Sequence, residues 1–86
     1  MGYKYKIEYD PKAVKQLRKL DRNDAGRILD GIEAYAQHPE SMRIKKLKTP
    51  FESVYRLRVG DDRVIFYQEG DLMLISKIAH RKQVYL

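Results

Sequence analysis

Cysteine is missing from this 86-residue chain, and glycine, proline and histidine are scarce. Without cysteine the chain has neither a disulfide framework nor a thiolate nucleophile. The two histidines, His38 and His80, stand far apart in the sequence, so no zinc-ligand spacing occurs, and we expect no metal and no cofactor. The few glycines are scattered, which excludes a phosphate-binding loop of the P-loop or dinucleotide type.

Long apolar runs and catalytic motifs of common hydrolases are also lacking. No apolar stretch approaches the roughly 20 residues that span a membrane, so we expect no membrane contact. The absence of cysteine fits the expected cytoplasmic location. The three serines lie in no nucleophile-elbow context. The one pair of adjacent carboxylates, Asp61 and Asp62, falls in a predicted turn, where a structural role is favoured over catalysis. Residues 1–86 are predicted to form a single small domain.

Positive charge is what the chain has in excess. It carries 18 basic and 12 acidic residues, a net charge of +6, and this balance favours a polyanionic partner. Four of the cations cluster between residues 43 and 48. We expect the following side chains to contact RNA backbone, the alternative for the cluster being a solvated basic loop: Arg43, Lys45, Lys46, Lys48, Lys77 and Lys82.

Hydrophobic periodicity predicts two helices and four strands. Tyr3 to Tyr9 alternates as a half-buried strand. Asp10-Pro11 begins one helix and Asp21 to Asp24 caps a longer one that ends at His38-Pro39. The basic segment to Pro50 is treated as irregular. Three strands follow, joined by tight turns: Ser53–Val59, Arg63–Gln68 and Leu72–Ala79.

The order β-α-α-β-β-β predicts an α+β fold, with a two-helix hairpin packed on a mainly antiparallel four-stranded sheet. Alternation places Val64 and Phe66 of one strand on the helix side. In the last strand, Leu72, Leu74 and Ile78 are predicted to share that side.

Arginine marks the other face of the predicted sheet. Because side chains alternate along a strand, Arg56 and Arg58 share one face, and Arg63 follows on the next strand. A strand face occupied by guanidinium groups is suited to holding an anion. Cationic groups with tyrosine suit phosphoryl chemistry on RNA, since RNA supplies its own nucleophile, the 2′-hydroxyl. The protein then needs no serine or cysteine nucleophile.

Two segments carry a resemblance to a known family, namely Tyr55-Arg56-Leu57-Arg58-Val59-Gly60-Asp61-Asp62-Arg63-Val64-Ile65-Phe66-Tyr67 and Ile78-Ala79-His80-Arg81-Lys82-Gln83-Val84-Tyr85. With these, the chain resembles the RelE/ParE superfamily of bacterial toxins, and is most similar to the RelE-like messenger-RNA interferases. The resemblance implies a RelE-like microbial ribonuclease fold. It also implies a toxin of a type II toxin–antitoxin pair that enters the ribosomal A site and cuts mRNA without a metal. The free toxin is expected to be a monomer and to form a hetero-oligomer when its antitoxin wraps around it.

By motif position, the resemblance implies catalytic roles for Arg56, Arg58, Arg63, Arg81 and Tyr85. The family pattern has lysines where this chain has Arg56 and Arg58. Because arginine is a poor general base, these two are interpreted as charge stabilisers. His80 is then the candidate for proton transfer, although strict alternation from Ile78 points it toward the core.

Two other functions remain open. The superfamily also includes ParE-like toxins, which inhibit DNA gyrase without hydrolysing anything, and these share the fold and the basic charge. An inactive relic that binds RNA or an antitoxin is the third possibility.

Overall fold

The computed structural model describes residues 5–41, 44–46 and 54–80. In chain order its elements are β1 (Lys6–Tyr9), α1 (Pro11–Lys19), α2 (Arg22–Gln37), a 3-10 turn (Pro39–Ser41), β2 (Ile44–Lys46), β3 (Val54–Val59), β4 (Asp62–Glu69) and β5 (Leu72–His80). No helix within these ranges is long and apolar enough to cross a membrane.

Both helices begin where the sequence predicts capping. The Asp10 side chain accepts a hydrogen bond from the Lys12 amide at 2.8 Å, and Pro11 occupies the first helical position. Asp21 accepts from the Asp24 amide, also at 2.8 Å. Each cap satisfies an amide that has no partner within the helix, and is typically worth about 1 kcal/mol.

The strands form one five-stranded sheet in the order β1-β5-β4-β3-β2. β1 pairs with β5 in parallel, and the other neighbours are antiparallel. The α+β prediction is confirmed. The sheet has five strands rather than four, because Ile44–Lys46, in the segment expected to be irregular, pairs with β3 at the sheet edge.

The core lies between the helices and one face of the sheet. Its largest fully buried side chains come from α2 and the three long strands, among them Ile28, Ile32, Leu57, Val64 and Phe66. α2 approaches β3 closely at Gly31, where a Cβ would stand 2.8 Å from a methyl group of Val59. Glycine at this position therefore permits the close packing of the helix on the strand.

The last strand departs from the predicted alternation. The pairing of β4 with β5 shifts register between Ile65 and Phe66, which is the signature of a β-bulge at Ser76. Before the bulge, Met73 and Ile75 face the core and are fully buried. The prediction that Leu72 and Leu74 face the helices is therefore wrong, whereas Ile78, beyond the bulge, does lie in the core.

Tyr35 of α2 joins the helix layer to an aromatic cluster at one end of the core. Its ring stacks on Tyr5 with centroids 6.0 Å apart and lies 5.4 Å from the ring of Phe66. The Tyr35 hydroxyl donates to Oε1 of Gln68 at 3.0 Å, and Nε2 of Gln68 donates to the Tyr5 hydroxyl at 2.8 Å. Burial, followed by the neighbouring Tyr5 and Tyr55, raises the pKa of Tyr35 from 10.0 to about 12.

The raised pKa of Tyr35 predicts a loss of stability in alkali. The folded protein holds the phenolic proton more tightly than the unfolded chain. The contribution is therefore complete below about pH 10 and is lost as the pH rises toward about 12. Denaturant titrations between pH 9 and 12 should show the free energy of unfolding falling more steeply for the wild type than for Tyr35→Phe. Tyr67→Phe, which leaves Tyr35 in place, should keep the wild-type slope. Parallel curves for wild type and Tyr35→Phe would contradict this account.

Candidate functional site

A group of five cationic side chains lies on the face of the sheet turned away from the helices. The group is called the basic face below and consists of Lys45, Arg56, Arg58, Arg63 and Lys77. Its orientation follows from alternation, because the strand neighbours Leu57, Val64 and Ile78 pack into the core on the opposite side. The structure thus brings Arg56, Arg58 and Arg63 onto one surface, as their spacing predicts.

Arg58 and Arg63 are directly opposite each other on β3 and β4. Side chains in this relation have Cβ atoms about 4.5–5.5 Å apart, and like charges there destabilise the sheet. Arg58 is exposed and Arg63 is half-buried. Two guanidinium groups on directly opposite residues of neighbouring strands form a site whose donors and charge suit a bound anion.

The turn between β3 and β4 holds both arginines. Gly60 adopts a positive φ of 61°, which glycine accommodates without strain, and this closes a two-residue connection. The Gly60 carbonyl accepts a hydrogen bond from Nε of Arg58 at 3.3 Å. The Asp62 carbonyl accepts from a terminal nitrogen of Arg63 at 3.4 Å. These contacts restrict the guanidinium groups before any ligand arrives, which lowers the entropy cost of binding.

Other predicted site residues fall elsewhere. Lys46 is opposite Tyr55, so it lies on the other face of the sheet from Lys45. The backbone of His80 pairs with Asp62, while the side chain of His80 is outside the described part of the structure. The remaining predicted residues also lie outside the described residues: Arg43, Lys48, Arg81, Lys82 and Tyr85.

A cavity of about 480 Å³ opens at the edge of β5, beyond the end of β1. Its lining combines both signs of charge, with Asp24 and Asp62 beside Lys19 and Arg27. The side chain of Gln16 also lines it and accepts a hydrogen bond from the Ile78 amide at 2.6 Å. Gln16 thus occupies an edge position that a further strand would take, and the sequence holds no signal for this contact. Within residues 5–41, 44–46 and 54–80, no group of three or more His, Asp or Glu side chains could hold a metal.

Solved structures share this arrangement of helices and sheet over most of their length. A chain of the RelB–RelE antitoxin–toxin complex from Methanococcus jannaschii is 27% identical and superposes with a TM-score of 0.74, covering 91% of this chain and 94% of that one. A chain of the archaeal RelE–RelB complex from Pyrococcus horikoshii OT3 is 25% identical, with a TM-score of 0.72 and coverages of 94% and 99%. The isolated E. coli RelE toxin, 16% identical, shows the same fold with a TM-score of 0.71 over 88% of this chain and 83% of that one.

The fold and sequence together define a toxin of the RelE/ParE superfamily. A sequence model described as the ParE toxin of the type II toxin–antitoxin system parDE matches residues 7–85, and the chain belongs to this family. No curated protein sequence matches the chain significantly.

Proposed function

We propose that this toxin is a ribosome-dependent endoribonuclease that cuts mRNA with the RNA 2′-hydroxyl as nucleophile. The observation that carries the proposal is the directly opposed pair Arg58 and Arg63, with Arg56 on the same face. Guanidinium donors match the oxygens of a phosphate, and two of them on neighbouring strands can hold one phosphate group between them.

The proposed reaction is a transfer within the RNA. The 2′-hydroxyl gives up its proton and its oxygen attacks the adjacent phosphorus, forming a 2′,3′-cyclic phosphate. The bond to the 5′-oxygen breaks, and this oxygen takes up a proton. Arg58 and Arg63 stabilise the added negative charge on the phosphate oxygens, and a preorganised donor in this role typically contributes about 3–4 kcal/mol.

The remaining steps, proton transfer and binding of the RNA base, are proposed for residues near the C-terminus. Arginine keeps its proton at physiological pH, so Arg56 and Arg58 do not serve as the base. His80, whose side chain titrates near neutrality when unperturbed, is proposed to transfer protons. Arg81 adds charge near the phosphate. Tyr85 offers a ring for stacking an unpaired base, a contact worth about 1–3 kcal/mol.

The proposed partners follow from the same chemistry. The toxin acts in the cytoplasm, where it enters the ribosomal A site and meets the exposed codon. Its cognate antitoxin binds it as the RelB antitoxin is found with RelE in the complexes from M. jannaschii and P. horikoshii. The free toxin is proposed to be a monomer that becomes part of a hetero-oligomer with its antitoxin.

Inhibition of DNA gyrase is the second candidate function, and one observation favours it. The family match is to ParE toxins over residues 7–85, whereas the two archaeal structures reported above are described as RelE complexes. A ParE-like toxin would use the same basic face to bind without hydrolysis. The two functions are separated by which nucleic acid is damaged in the cell.

The test is induced expression followed by mapping of RNA 5′ ends and recovery of gyrase–DNA complexes. An endoribonuclease produces new ends with 5′-hydroxyl groups inside translated reading frames, and these ends disappear when translation initiation is blocked. A gyrase inhibitor leaves messages intact, traps gyrase on DNA and induces the DNA-damage response. That second pattern would overturn the proposal in favour of the ParE-like function. Growth without either pattern would rule out both toxin functions.

A further inference from the structure

The β-bulge at Ser76 decides which side chains of β5 reach the basic face. Ile65 of β4 is opposite Lys77, and the next residue, Phe66, is opposite Ile75, so Ser76 is the unpaired extra residue. The Ser76 hydroxyl donates to the Ile65 carbonyl at 3.0 Å. A bulge interrupts the backbone ladder, and this hydroxyl supplies a donor across the two strands at the point of interruption.

The bulge reverses the alternation of β5. Ile75 faces the core before it and Ile78 faces the core after it, with exposures of 0% and 3%. In a regular strand Ile75 and Lys77 would share a face, and Lys77 would point into the core. The extra residue instead turns Lys77 to the opposite side, next to Ile65. A bulge commonly re-aims a side chain in this way beside a functional site.

With Lys77 turned outward, one row of the basic face crosses four neighbouring strands. Lys45 is opposite Arg56, Arg56 is opposite Ile65, and Ile65 is opposite Lys77. Neighbouring strands are about 4.8 Å apart, so Arg56 and Lys77 stand about 10 Å apart at the backbone, on either side of Ile65. Ile65 is 9% exposed and forms an apolar floor between two long cationic side chains.

This row runs beside the pair Arg58 and Arg63. The two rows are separated by two residues along the strand, about 7 Å. We propose that the row containing Arg56 and Lys77 holds a second phosphodiester group of a single-stranded RNA, seated over Ile65 next to the group bound by Arg58 and Arg63. Ser76 is a positioning residue for this contact, because its hydroxyl holds the bulge that aims Lys77. The inference rests on the proposed function for the identity of the nucleic acid.

The test measures how RNA affinity depends on salt. The probe is a short single-stranded RNA with 2′-O-methyl groups, which the toxin can bind but cannot cleave. For single strands, log Kobs falls against log salt with a slope of about −0.7 per phosphate contacted. Lys77→Gln should therefore make the slope shallower by about 0.7. Lys15→Gln, the same charge change at an exposed position on α1, should leave the slope unchanged.

Ser76 is tested without changing any charge. Ser76→Ala should make the slope shallower by the same ~0.7 as Lys77→Gln, since one phosphate contact is lost. Ser76→Thr keeps a hydroxyl and should retain the wild-type slope. The double variant Ser76→Ala/Lys77→Gln should be no shallower than Lys77→Gln alone. Thermal melts of each variant separate this effect from unfolding, because a merely structural role for Ser76 would lower Tm without changing the slope.

Several outcomes would overturn the inference. These are a wild-type slope for Lys77→Gln, a wild-type slope for Ser76→Ala, additive effects in the double variant, or no binding of the wild type at low salt. Failure of the proposed function looks different. If cleavage in cells is absent while the slopes change as expected, the phosphate contact of the row containing Arg56 and Lys77 is supported and the ribonuclease function is contradicted. If cleavage is present and the slopes do not change, the ribonuclease function is supported and the phosphate contact of this row is contradicted.

Discussion

Arg58→Gln is expected to lower RNA cleavage by about 10²- to 10³-fold, the usual cost of removing one preorganised donor from a charge-stabilising site. Glutamine keeps much of the length of the side chain but loses the charge and the guanidinium fork. The measurement is the rate of message cleavage in programmed ribosomes at saturating toxin. Arg18→Gln, an equal charge change at an exposed position on α1, is the matched control and should cleave at the wild-type rate.

The same substitution is expected to leave the free energy of unfolding nearly unchanged. Arg58 is exposed, and a substitution at an exposed position usually changes the free energy of unfolding by no more than about 0.5 kcal/mol. The free energy of unfolding of Arg58→Gln should therefore stay within about 0.5 kcal/mol of the wild-type value, while activity falls. A variant that loses activity and stability together would show that Arg58 acts as a structural residue. Wild-type cleavage by Arg58→Gln would remove the pair from the proposed reaction.

Local patterns in the sequence were sufficient for the elements that local physics controls. Asp10 and Asp21 cap their helices as predicted, because a cap depends on contacts two or three residues away. Alternation correctly placed Arg56 and Arg58 on one face of β3, because the apolar residues Leu57 and Val59 alternate strictly with them and only one phase buries the apolar side chains.

The β-bulge in β5 was not predictable in the same way, because it depends on how this strand pairs with β4. Leu72 to Ile75 are all apolar, so either phase of alternation fits them. Strict alternation through β5 then buries Ser76 in one phase and Lys77 in the other. That conflict is the one sequence signal for the bulge, but its resolution depends on how β4 pairs with the strand.

The placement of β2 depends on its partner as well. Ile44–Lys46 is only three residues long and offers one apolar side chain, too little for a periodic signal. Pairing with β3 puts Lys45 beside Arg56 and sends Lys46 to the opposite face. A cluster that reads as one basic segment in the sequence is therefore divided between two surfaces by the pleat of the sheet.

Phe66→Ala is expected to destabilise the domain by about 3–5 kcal/mol, the range for removing a buried aromatic ring. Phe66 is fully buried, and its ring centroid lies 5.4 Å from that of Tyr35 and 5.8 Å from that of Tyr55. In a domain of this size Tm should fall by about 12 °C or more, which calorimetry or circular dichroism can measure. Tyr67→Phe, next along β4 on the other face, should change the free energy of unfolding by less than about 0.5 kcal/mol.

The loss in Phe66→Ala is also expected to be separable from function, because β4 presents Phe66 to the core and Arg63 to the basic face. Cleavage per folded molecule, measured well below the Tm of the variant, should remain within a few-fold of wild type. A loss of cleavage as large as that of Arg58→Gln in fully folded Phe66→Ala would mean that core packing itself sets the geometry of the arginines. The hydrogen bonds that Arg58 and Arg63 donate to the carbonyls of Gly60 and Asp62 argue against this, since they hold the guanidinium groups at the turn end of the hairpin, away from Phe66.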